Sequence, residues 1–309
     1  MNVLVTGGTG YLGARISYAL SKNNKIFVQS RKKKNLNLEL KNIIQFKYDW
    51  KNHSILNERL KAVDAIIHTA GTDFDFCKVY KKEAEECYLN NTDILYYYAK
   101  KNNIKKIINF STIHVYGSQK GHIHENSDVS LDSNYAYLNF EREKLSEKFN
   151  KSEIQFTNIR LSNCFGYPIL RKTNCWKLIL PSICKNIIKN NNIKLKTKQD
   201  FYKNFSTIYD LCKLMRLLVY SNKKLPPILN FSSGKPKKIS QLINLIIDIE
   251  KKTYNKKPLN NLEKLISIQK PERNFISNYL QKINFEFSNN YTHELTCLLK
   301  VANNFFSSK

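Results

Sequence analysis

The first thirteen residues constrain the fold more than any other stretch of the chain. An apolar run, Asn2–Val5, leads directly into three glycines spaced three residues apart, Gly7, Gly10 and Gly13, and from Tyr11 apolar residues recur at helical spacing. This order predicts a strand, a tight turn and a helix. In such a unit the glycines permit the turn, a close approach of backbone amides to a phosphate, and close packing of helix on strand. The turn therefore predicts a dinucleotide site, with a plain glycine turn as the alternative.

Apolar runs that predict strands alternate with amphipathic segments that predict helices over the first half of the chain. The further predicted strands are Lys25–Gln29, Ile43–Phe46, Ala65–His68, Lys106–Phe110 and Ile154–Ile159. The predicted helices are Arg15–Lys22, Ser54–Leu60, Tyr80–Lys101, Tyr135–Phe149, Trp176–Lys189, Tyr209–Tyr220, Ser240–Lys251 and Thr292–Asn304. Continuously apolar strands separated by helices predict an α/β fold, a Rossmann-type doubly wound parallel sheet covered on both faces. We expect residues 1–165 to form the dinucleotide-binding domain, with 205–230 returning to it, and residues 166–309 to form a smaller substrate-binding lobe.

Cysteine usage and hydropathy predict a cytoplasmic protein. The seven cysteines of the 309-residue chain are scattered and never form a Cys-x-x-Cys pair, which favours reduced thiols and argues against a zinc site. The first apolar run is too short for a signal peptide, and no stretch approaches the roughly 18 apolar residues of a membrane helix. We therefore expect no contact with a membrane.

The formal net charge of +26 raises the question of a nucleic-acid partner. The lysines are spread over the whole chain beside abundant asparagine and isoleucine, a pattern typical of compositional drift. No helix-turn-helix, zinc finger or RNA-stacking motif accompanies the charge. We attribute the positive charge to compositional drift combined with the attraction of an anionic substrate. Nucleic-acid binding is the less favoured alternative.

Seven ordered motifs carry a resemblance to a known family. They are Thr6–Gly13, Asp49–Trp50, His68–Gly71, Ser111–Gly117, Tyr135–Ala136, Arg160–Gly166 and Asn230–Gly234. Together they resemble the extended short-chain dehydrogenases/reductases, in the NAD(P)-dependent nucleotide-sugar epimerase/dehydratase branch. The resemblance implies an epimerase, dehydratase or reductase that acts on a nucleotide sugar through transient hydride transfer at a sugar carbon. It also leaves open a homodimer formed through two helices of the nucleotide domain.

The resemblance assigns a set of residues to the cofactor. These are Gly7, Gly10, Tyr11, Leu12, Gly13, Arg31, Asp49, Trp50, Ala70, Gly71 and Tyr135. Arg31 ends the second strand, where an NAD enzyme offers a carboxylate to the ribose 2′-hydroxyl. An arginine attracts a 2′-phosphate and can bind it bidentately. We therefore expect NADP as the cofactor, with NAD as the alternative. If Arg31 has no role in cofactor binding, its side chain is simply solvated. For Asp49, contact with adenine and a solvated loop carboxylate are equally open.

The predicted catalytic residues are Thr112, Tyr135, Asn139 and His114. In the resembling family a serine or threonine bonds the reacting oxygen, a tyrosine transfers the proton, and a lysine four residues later lowers the tyrosine pKa. Here Asn139 occupies the lysine position. An amide cannot stabilise a phenolate by charge. Three alternatives follow: another cation takes the role of the lysine, the enzyme is slow near neutral pH, or the redox chemistry has been lost. His114 lies where dehydratase members have a carboxylate, and it is either an acid–base group or a residue that only lines the pocket.

Asn163, Trp176 and Lys203 are the predicted substrate residues. The resemblance assigns Asn163 to the sugar nucleotide and Lys203 to the position of a phosphate-binding arginine, where lysine keeps the charge but loses the bidentate fork. Trp176 lines the sugar pocket or belongs to the core. The main alternative to an enzyme is a catalytically weakened NADP-binding protein with a binding or regulatory role, which Asn139 and Lys203 favour.

Overall fold

The structure is a computed structural model in which placement is defined for most of the chain. It describes residues 1–31, 42–149, 153–193, 195, 198–255, 258–259, 262 and 265–307. The lysines of the basic run that follows Arg31, Lys32 to Lys34, lie outside the described residues.

A seven-stranded sheet forms the centre of the protein. Its strands are β1 Asn2–Thr6, β2 Lys25–Ser30, β3 Ile43–Lys47, β4 Ala65–His68, β5 Lys106–Thr112, β6 Gln155–Leu161 and β7 Ile228–Phe231. Every neighbouring pair is parallel, in the order β3–β2–β1–β4–β5–β6–β7. The predicted Rossmann-type α/β sheet is thereby confirmed.

Both faces of the sheet are buried because successive residues of each strand point to opposite sides. In β1, Val3 and Val5 belong to a cluster with Ile16 and Leu211, whereas Leu4 between them belongs to another cluster with Leu95. All three β1 side chains are fully buried. Strands that must be apolar on both faces explain the continuous, non-alternating runs in the sequence.

Eleven α-helices are present among the described residues. They are α1 Tyr11–Ser21, α2 His53–Leu60, α3 Phe74–Val79, α4 Lys81–Glu85, α5 Asn91–Lys101, α6 Asn134–Phe149, α7 Ile179–Asn190, α8 Ile208–Tyr220, α9 Ile239–Tyr254, α10 Asn278–Lys282 and α11 Tyr291–Phe306. Short 3-10 helices occupy Ile113–Tyr116 and Asn174–Lys177, and a π-helical turn occupies Glu86–Asn90. None of the helices in the described residues is long and apolar enough to cross a membrane.

The predicted helix Tyr80–Lys101 is wrong as one continuous element. Tyr80 has φ −108° and ψ 68°, which is not helical and separates α3 from α4. The Asp73 side chain accepts a hydrogen bond from the Phe76 N–H at 2.9 Å and so begins α3 earlier than predicted. The π turn Glu86–Asn90 then inserts an extra residue before α5. Tyr88 lies in this turn and is buried, and its hydroxyl donates to the Thr72 carbonyl oxygen at 2.8 Å.

The second half of the chain builds a separate apolar cluster from α7, α9 and α11. Leu180, Ile243 and Leu295 are buried members of this cluster. The described residues also form four short strand pairs: Asn163–Phe165 with Phe205–Thr207, Tyr202–Lys203 with Lys237–Lys238, Gln199–Asp200 with Ile266–Ser267, and Gly121–Ile123 with Arg273–Phe275. A buried ion pair, with Arg15 Nη2 2.7 Å from Glu294 Oε1, links α1 to α11.

Candidate active site

The predicted site residues follow strands whose carboxyl ends lie at one edge of the sheet. Gly7 follows β1, Arg31 follows β2, Ala70 lies two residues beyond β4, Thr112 ends β5, and Asn163 lies two residues beyond β6. In this order the chain runs from β1 toward β3 on one side and toward β7 on the other, so the direction reverses between β1 and β4. Ligands of doubly wound sheets bind at such a reversal, outside the carboxyl ends of the strands.

The glycine turn has little room for side chains. Gly7 has φ +62°, a conformation that favours glycine, and a Cβ there would lie 2.9 Å from the Ala70 Cα. A Cβ on Gly13 would lie 2.5 Å from the Gly7 carbonyl oxygen and 2.7 Å from Thr69 Oγ1. At Gly10 an added Cβ would meet only the Gly7 carbonyl oxygen, at 3.0 Å. Gly7 and Gly13 are therefore required by the fold itself, while Gly10 leaves an open approach to the turn.

The N-terminus of α1 is left open for an anion. Gly10 caps the helix without a side-chain hydrogen bond, and the first turn carries no acidic residue. The N–H groups of Tyr11 and Leu12 therefore have no intrahelical partner. Open amides and the positive end of the helix dipole suit a cofactor phosphate, so the residues present fit a dinucleotide.

The side chains of Tyr11 and Leu12 serve the fold. The Tyr11 hydroxyl donates to the Gly166 carbonyl oxygen at 2.6 Å and accepts from the Gly166 N–H at 2.8 Å. Burial raises the pKa of the Tyr11 phenol well above its ordinary value. Leu12 packs against the main core cluster. If either residue contacts a cofactor, its backbone amide is the group available.

Three of the predicted cofactor residues lie at the ends of β2 and β3. Arg31 is exposed, directly after β2. Asp49 is exposed as well, and its carboxylate accepts a 3.4 Å hydrogen bond from the Lys51 N–H. Trp50 has φ +69° and its ring lies 5.0 Å from that of Tyr48. This geometry is compatible with either alternative for Asp49.

The loop after β4 lies against the glycine turn. The Ala70 N–H donates to Thr6 Oγ1 at 3.4 Å, and the Ala70 carbonyl oxygen accepts from Arg142 Nη1 at 2.8 Å. Gly71 is exposed, and a Cβ on it would lie 3.1 Å from the Tyr88 hydroxyl. Ala70 therefore connects the turn after β1 to helix α6.

Thr112 and Tyr135 come together at the carboxyl end of β5. Thr112 is buried, and its hydroxyl accepts from the His114 N–H at 3.2 Å, which starts the 3-10 helix Ile113–Tyr116. Tyr135 lies in the first turn of α6, which begins where Ser133 Oγ accepts from the Ala136 N–H at 3.1 Å. The side chain of Thr112 lowers the pKa of the Tyr135 phenol, so the two hydroxyl groups lie close to each other. The two predicted reacting groups therefore form one unit.

Aromatic rings and opposing electrostatic effects surround the Tyr135 phenol. The rings of Phe74, Tyr88 and His114 lie 6.0, 6.4 and 5.9 Å from it. Burial raises the Tyr135 pKa. The nearby Thr112 side chain and the positive charge of Arg142 lower it, and Cys77 and Asp73 raise it slightly. The net pKa is raised, so the phenol is protonated near neutral pH without further stabilisation.

Asn139 does not reach the Tyr135 hydroxyl. Its amide donates to the Tyr135 backbone carbonyl oxygen at 2.8 Å and accepts from Arg142 Nη2 at 3.3 Å. Arg142, which our sequence analysis did not identify, is the cation that acts on Tyr135. It lies three residues after Asn139 and seven after Tyr135, so helical spacing puts all three on one face of α6. That spacing was the signal available in the sequence.

A second group of cations lies near His114. The pKa of His114 is lowered by partial burial and then by the positive charges of Lys203 and Arg273. The pKa of Lys203 is itself lowered by burial and by Arg273. Arg273, a residue that our sequence analysis missed, donates to the Gly117 carbonyl oxygen at 2.7 Å. The three side chains therefore share one electropositive region next to the Thr112–Tyr135 pair.

The other two predicted substrate residues differ in position. Asn163 is half-buried, and its amide donates to the Asn204 carbonyl oxygen at 3.2 Å. Trp176 is only 9% exposed, and its indole lies 4.9 Å from the Phe306 ring in the apolar cluster of α7, α9 and α11. The Trp176 Nε1–H donates to the Arg171 carbonyl oxygen at 3.1 Å. The packing thus favours the core alternative for Trp176.

Comparisons with known proteins agree with this arrangement. The family described as "NAD dependent epimerase/dehydratase family" matches residues 3–231. No curated protein matches the sequence significantly.

Several solved structures share the fold over nearly the whole chain. UDP-glucuronic acid 4-epimerase from Bacillus cereus, in complex with UDP-glucuronic acid and NAD, is 18% identical with a TM-score of 0.82, covering 99% of this chain and 100% of that one. UDP-N-acetylglucosamine 4-epimerase from Methanobrevibacter ruminantium is 21% identical with a TM-score of 0.79, covering 97% of each chain. The NAD-dependent NDP-hexosamine 5,6-dehydratase TunA is 15% identical with a TM-score of 0.77, covering 98% of each.

The family match covers most of the chain and includes the glycine turn, the Thr112–Tyr135 pair and all seven strands of the sheet. The protein therefore belongs to the NAD-dependent epimerase/dehydratase family of enzymes, as its sequence motifs predicted.

Proposed function

We propose that the protein is a nucleotide-sugar epimerase that acts through transient oxidation of a sugar carbon. The observation that carries this proposal is the proximity of the Thr112 and Tyr135 side chains, where β5 ends and α6 begins. Arg142 donates to the Ala70 carbonyl oxygen and to Asn139, which in turn donates to the Tyr135 backbone carbonyl oxygen, and Ala70 packs on Gly7 of the glycine turn. Proton-transfer groups and cofactor turn are thus parts of one connected structure.

The roles of the two hydroxyl groups follow from their chemistry. Thr112 donates a hydrogen bond to the reacting sugar oxygen and holds it next to Tyr135. Tyr135, as phenolate, accepts the proton of that hydroxyl group and returns it after the sugar carbon has been reduced from its other face. The nicotinamide cofactor supplies the acceptor and donor of the hydride when it is bound.

Lys203 and Arg273 are the groups that we assign to the substrate diphosphate. The positive charge of Arg273 lowers the pKa of Lys203, and an anion between the two side chains would remove that repulsion. The Bacillus cereus and Methanobrevibacter ruminantium epimerases are complexes with UDP-sugars, which supports a nucleoside diphosphate sugar here. Asn163 is the residue that we assign to the sugar nucleotide.

Epimerisation is favoured over dehydration by the identity of His114. The resembling dehydratases use a carboxylate at this position, and a histidine whose pKa is lowered is a poor proton donor near neutral pH. His114 is therefore assigned to the wall of the pocket, where it lies 5.9 Å from Tyr135 between ring centroids.

For the cofactor we propose NADP in preference to NAD. Arg31 stands directly after β2, where the carboxylate that recognises an NAD ribose is expected. Its exposed guanidinium suits a 2′-phosphate. We further propose that residues 1–165 with 205–230 hold the cofactor, that residues 166–309 hold the sugar, and that the protein acts in the cytoplasm without a nucleic-acid partner.

The test is turnover of nucleotide sugars by the full-length protein. Purified protein with NADP or NAD is incubated with UDP-glucose, UDP-glucuronic acid and UDP-N-acetylglucosamine, and sugar configuration is followed by proton NMR. We expect interconversion of epimers by the wild type and none by Tyr135→Phe, while Tyr137→Phe, an exposed tyrosine on the same helix, stays active.

The competing function is an NADP-binding protein with a regulatory role. The uncharged Asn139 and the single-point charge of Lys203 favour it. Tight cofactor binding without conversion of any sugar, equally in wild type and Tyr135→Phe, would support this alternative and end the epimerase proposal.

A further inference from the structure

The guanidinium of Arg142 is a buried cation without an ionic partner. Arg142 is 3% exposed. Its nitrogens donate to the carbonyl oxygens of Ala70 and Phe110 and to Asn139 Oδ1, while Nε has no hydrogen-bond partner. Among the described residues no carboxylate forms an ion pair with it. A buried, unpaired charge is costly, so a purely structural residue at this position would not need to be an arginine.

The adjacent carboxylate is already neutralised. Glu143 Oε2 accepts from Arg160 Nη2 at 2.7 Å, and Glu143 Oε1 accepts from Arg160 Nε at 3.0 Å. The Ser111 hydroxyl donates to the same Oε1 at 2.5 Å. Because Glu143 is committed to Arg160, the positive charge of Arg142 remains available to the groups around it.

That charge is directed at the tyrosines of the active site. The Arg142 Cζ lies 4.6 Å above the Tyr88 ring, and the Tyr88 ring meets the Tyr135 ring edge-on. Asn139 bridges Arg142 to the Tyr135 backbone along the same face of α6. Two helical turns separate Arg142 from Tyr135 in the sequence, which is the spacing that aligns side chains on one helix face.

Groups from each element around Tyr135 bear on its charge. They are Thr112 from β5, Asp73 and Cys77 from the start and the body of α3, Tyr88 from the π turn, His114 from the 3-10 helix, and Arg142 from α6. Asp73 and Cys77 oppose ionisation of the phenol, and His114 is neutral near neutral pH because its pKa is lowered. Arg142 is thus the permanent cation of this set.

We propose that Arg142 is the positioning cation of this active site: it stabilises the Tyr135 phenolate from position 142 and holds the cofactor loop through Ala70. This inference rests on the proposed role of Tyr135 as the proton acceptor. The proposal accounts both for the buried, unpaired Arg142 and for the asparagine at position 139. The Asn139 side-chain carbonyl oxygen accepts a hydrogen bond from the Arg142 guanidinium, whereas a lysine at position 139 would repel that guanidinium. The lysine expected four residues after Tyr135 is replaced by an arginine one helical turn further on.

The test is a titration of the Tyr135 phenol in the full-length protein without substrate. Ultraviolet absorbance of phenolate is measured against pH, and subtracting the curve of Tyr135→Phe from that of the parent isolates Tyr135. We expect Arg142→Met and Arg142→Gln to raise the Tyr135 pKa by about one unit or more, because a nearby charge shifts a pKa by about that amount. Arg142→Lys retains most of the wild-type value.

Two further variants separate charge from structure. Arg142→Met combined with Asn139→Lys is expected to bring the Tyr135 pKa back toward the wild-type value, since the ammonium restores a cation on the same helix face. Arg15→Met removes a buried arginine of α1 and is expected to lower the melting temperature without moving the Tyr135 titration.

The proposal fails if folded Arg142→Gln or Arg142→Met titrates like the wild type, or if Asn139→Lys brings no recovery. Should the methionine variant not fold, the glutamine and lysine variants decide by the same titration. The readout needs no turnover, so a shifted Tyr135 pKa in a protein that converts no sugar would overturn the proposed function and leave the role of Arg142 standing. If the wild type converts a sugar but the Arg142 variants leave the Tyr135 pKa unshifted, the proposed function stands and the role of Arg142 is overturned.

Discussion

The Tyr11 hydroxyl is held on both sides by one residue, Gly166. It donates to the Gly166 carbonyl oxygen at 2.6 Å and accepts from the Gly166 N–H at 2.8 Å. The first turn of α1 is thereby joined to the segment that follows Phe165. A residue that the sequence motif assigns to the cofactor therefore uses its side chain to connect the two halves of the protein.

We expect Tyr11→Phe to lower the free energy of unfolding by about 1–3 kcal/mol, because a buried N–H and carbonyl lose their partner. Cofactor affinity should change little, since only the Tyr11 backbone faces the open helix end. Urea unfolding and cofactor titration measure the two effects. Tyr18→Phe, an exposed tyrosine of the same helix, is the control; weaker cofactor binding at unchanged stability would contradict the assignment.

The ion pair of Arg15 with Glu294 should be strongly coupled. Both side chains are nearly inaccessible, and the Arg15 guanidinium also lies 3.6 Å from the centroid of the Tyr167 ring. Arg15→Met should cost about 3–5 kcal/mol, because it leaves Glu294 buried without its cation. Arg15→Met with Glu294→Gln should cost less than the sum of the single changes. Additive losses in urea unfolding would show that the pair is not a unit.

Alanine substitutions in the glycine turn should separate folding from cofactor binding. Gly13→Ala brings a Cβ within 2.5 Å of the Gly7 carbonyl oxygen and is expected to destabilise the whole protein. Gly10 has φ −78°, which alanine adopts readily, and its Cβ would project where a phosphate approaches. Its only close neighbour would be the Gly7 carbonyl oxygen, at 3.0 Å, so Gly10→Ala should lose much less stability than Gly13→Ala and bind the cofactor at least tenfold more weakly. Wild-type affinity of Gly10→Ala would place the phosphates elsewhere.

Arg31 should decide the cofactor preference. The wild type is expected to bind NADPH more tightly than NADH, and Arg31→Glu should reverse the order because a carboxylate repels the 2′-phosphate and bonds a ribose hydroxyl. Dissociation constants from fluorescence titration measure both. Arg59→Glu, on α2, is the charge control. Tighter NADH binding by the wild type would reject NADP as the cofactor.

The pKa of His114 should show whether an anion is bound to Lys203 and Arg273. Its pKa is lowered, first by partial burial and then by Lys203 and Arg273. A diphosphate that neutralises the cations should raise the His114 pKa, and Lys203→Met should raise it in the free protein. NMR titration of the imidazole, with and without UDP, measures the shifts. Lys237→Met, opposite Lys203 in the short strand pair, should have no effect, and a His114 pKa unchanged by UDP would remove the diphosphate from this region.

Local rules were sufficient to predict most of the fold. The apolar runs of β1 to β6 are strands because a parallel sheet buried on both faces needs apolar residues on both sides of each strand. The spacing of Gly7, Gly10 and Gly13 indicated the turn because backbone geometry and close packing depend on nearest neighbours in the chain. The predicted helix Tyr80–Lys101 missed two interruptions, the non-helical backbone of Tyr80 and the π turn before α5.

The sequence by itself thus determined the sheet, the glycine turn and the Thr112–Tyr135 pair, since each is encoded in short, ordered motifs. Only the tertiary structure decided what Asn139, Trp176 and Arg142 do. Their roles depend on neighbours that are distant in the chain, such as Ala70 and Phe110 around the Arg142 guanidinium. Charge and burial act through space and not along the chain. The spacing of Arg142 from Tyr135 was visible in the sequence, but its burial and its effect on Tyr135 were evident only with α6 packed against the sheet.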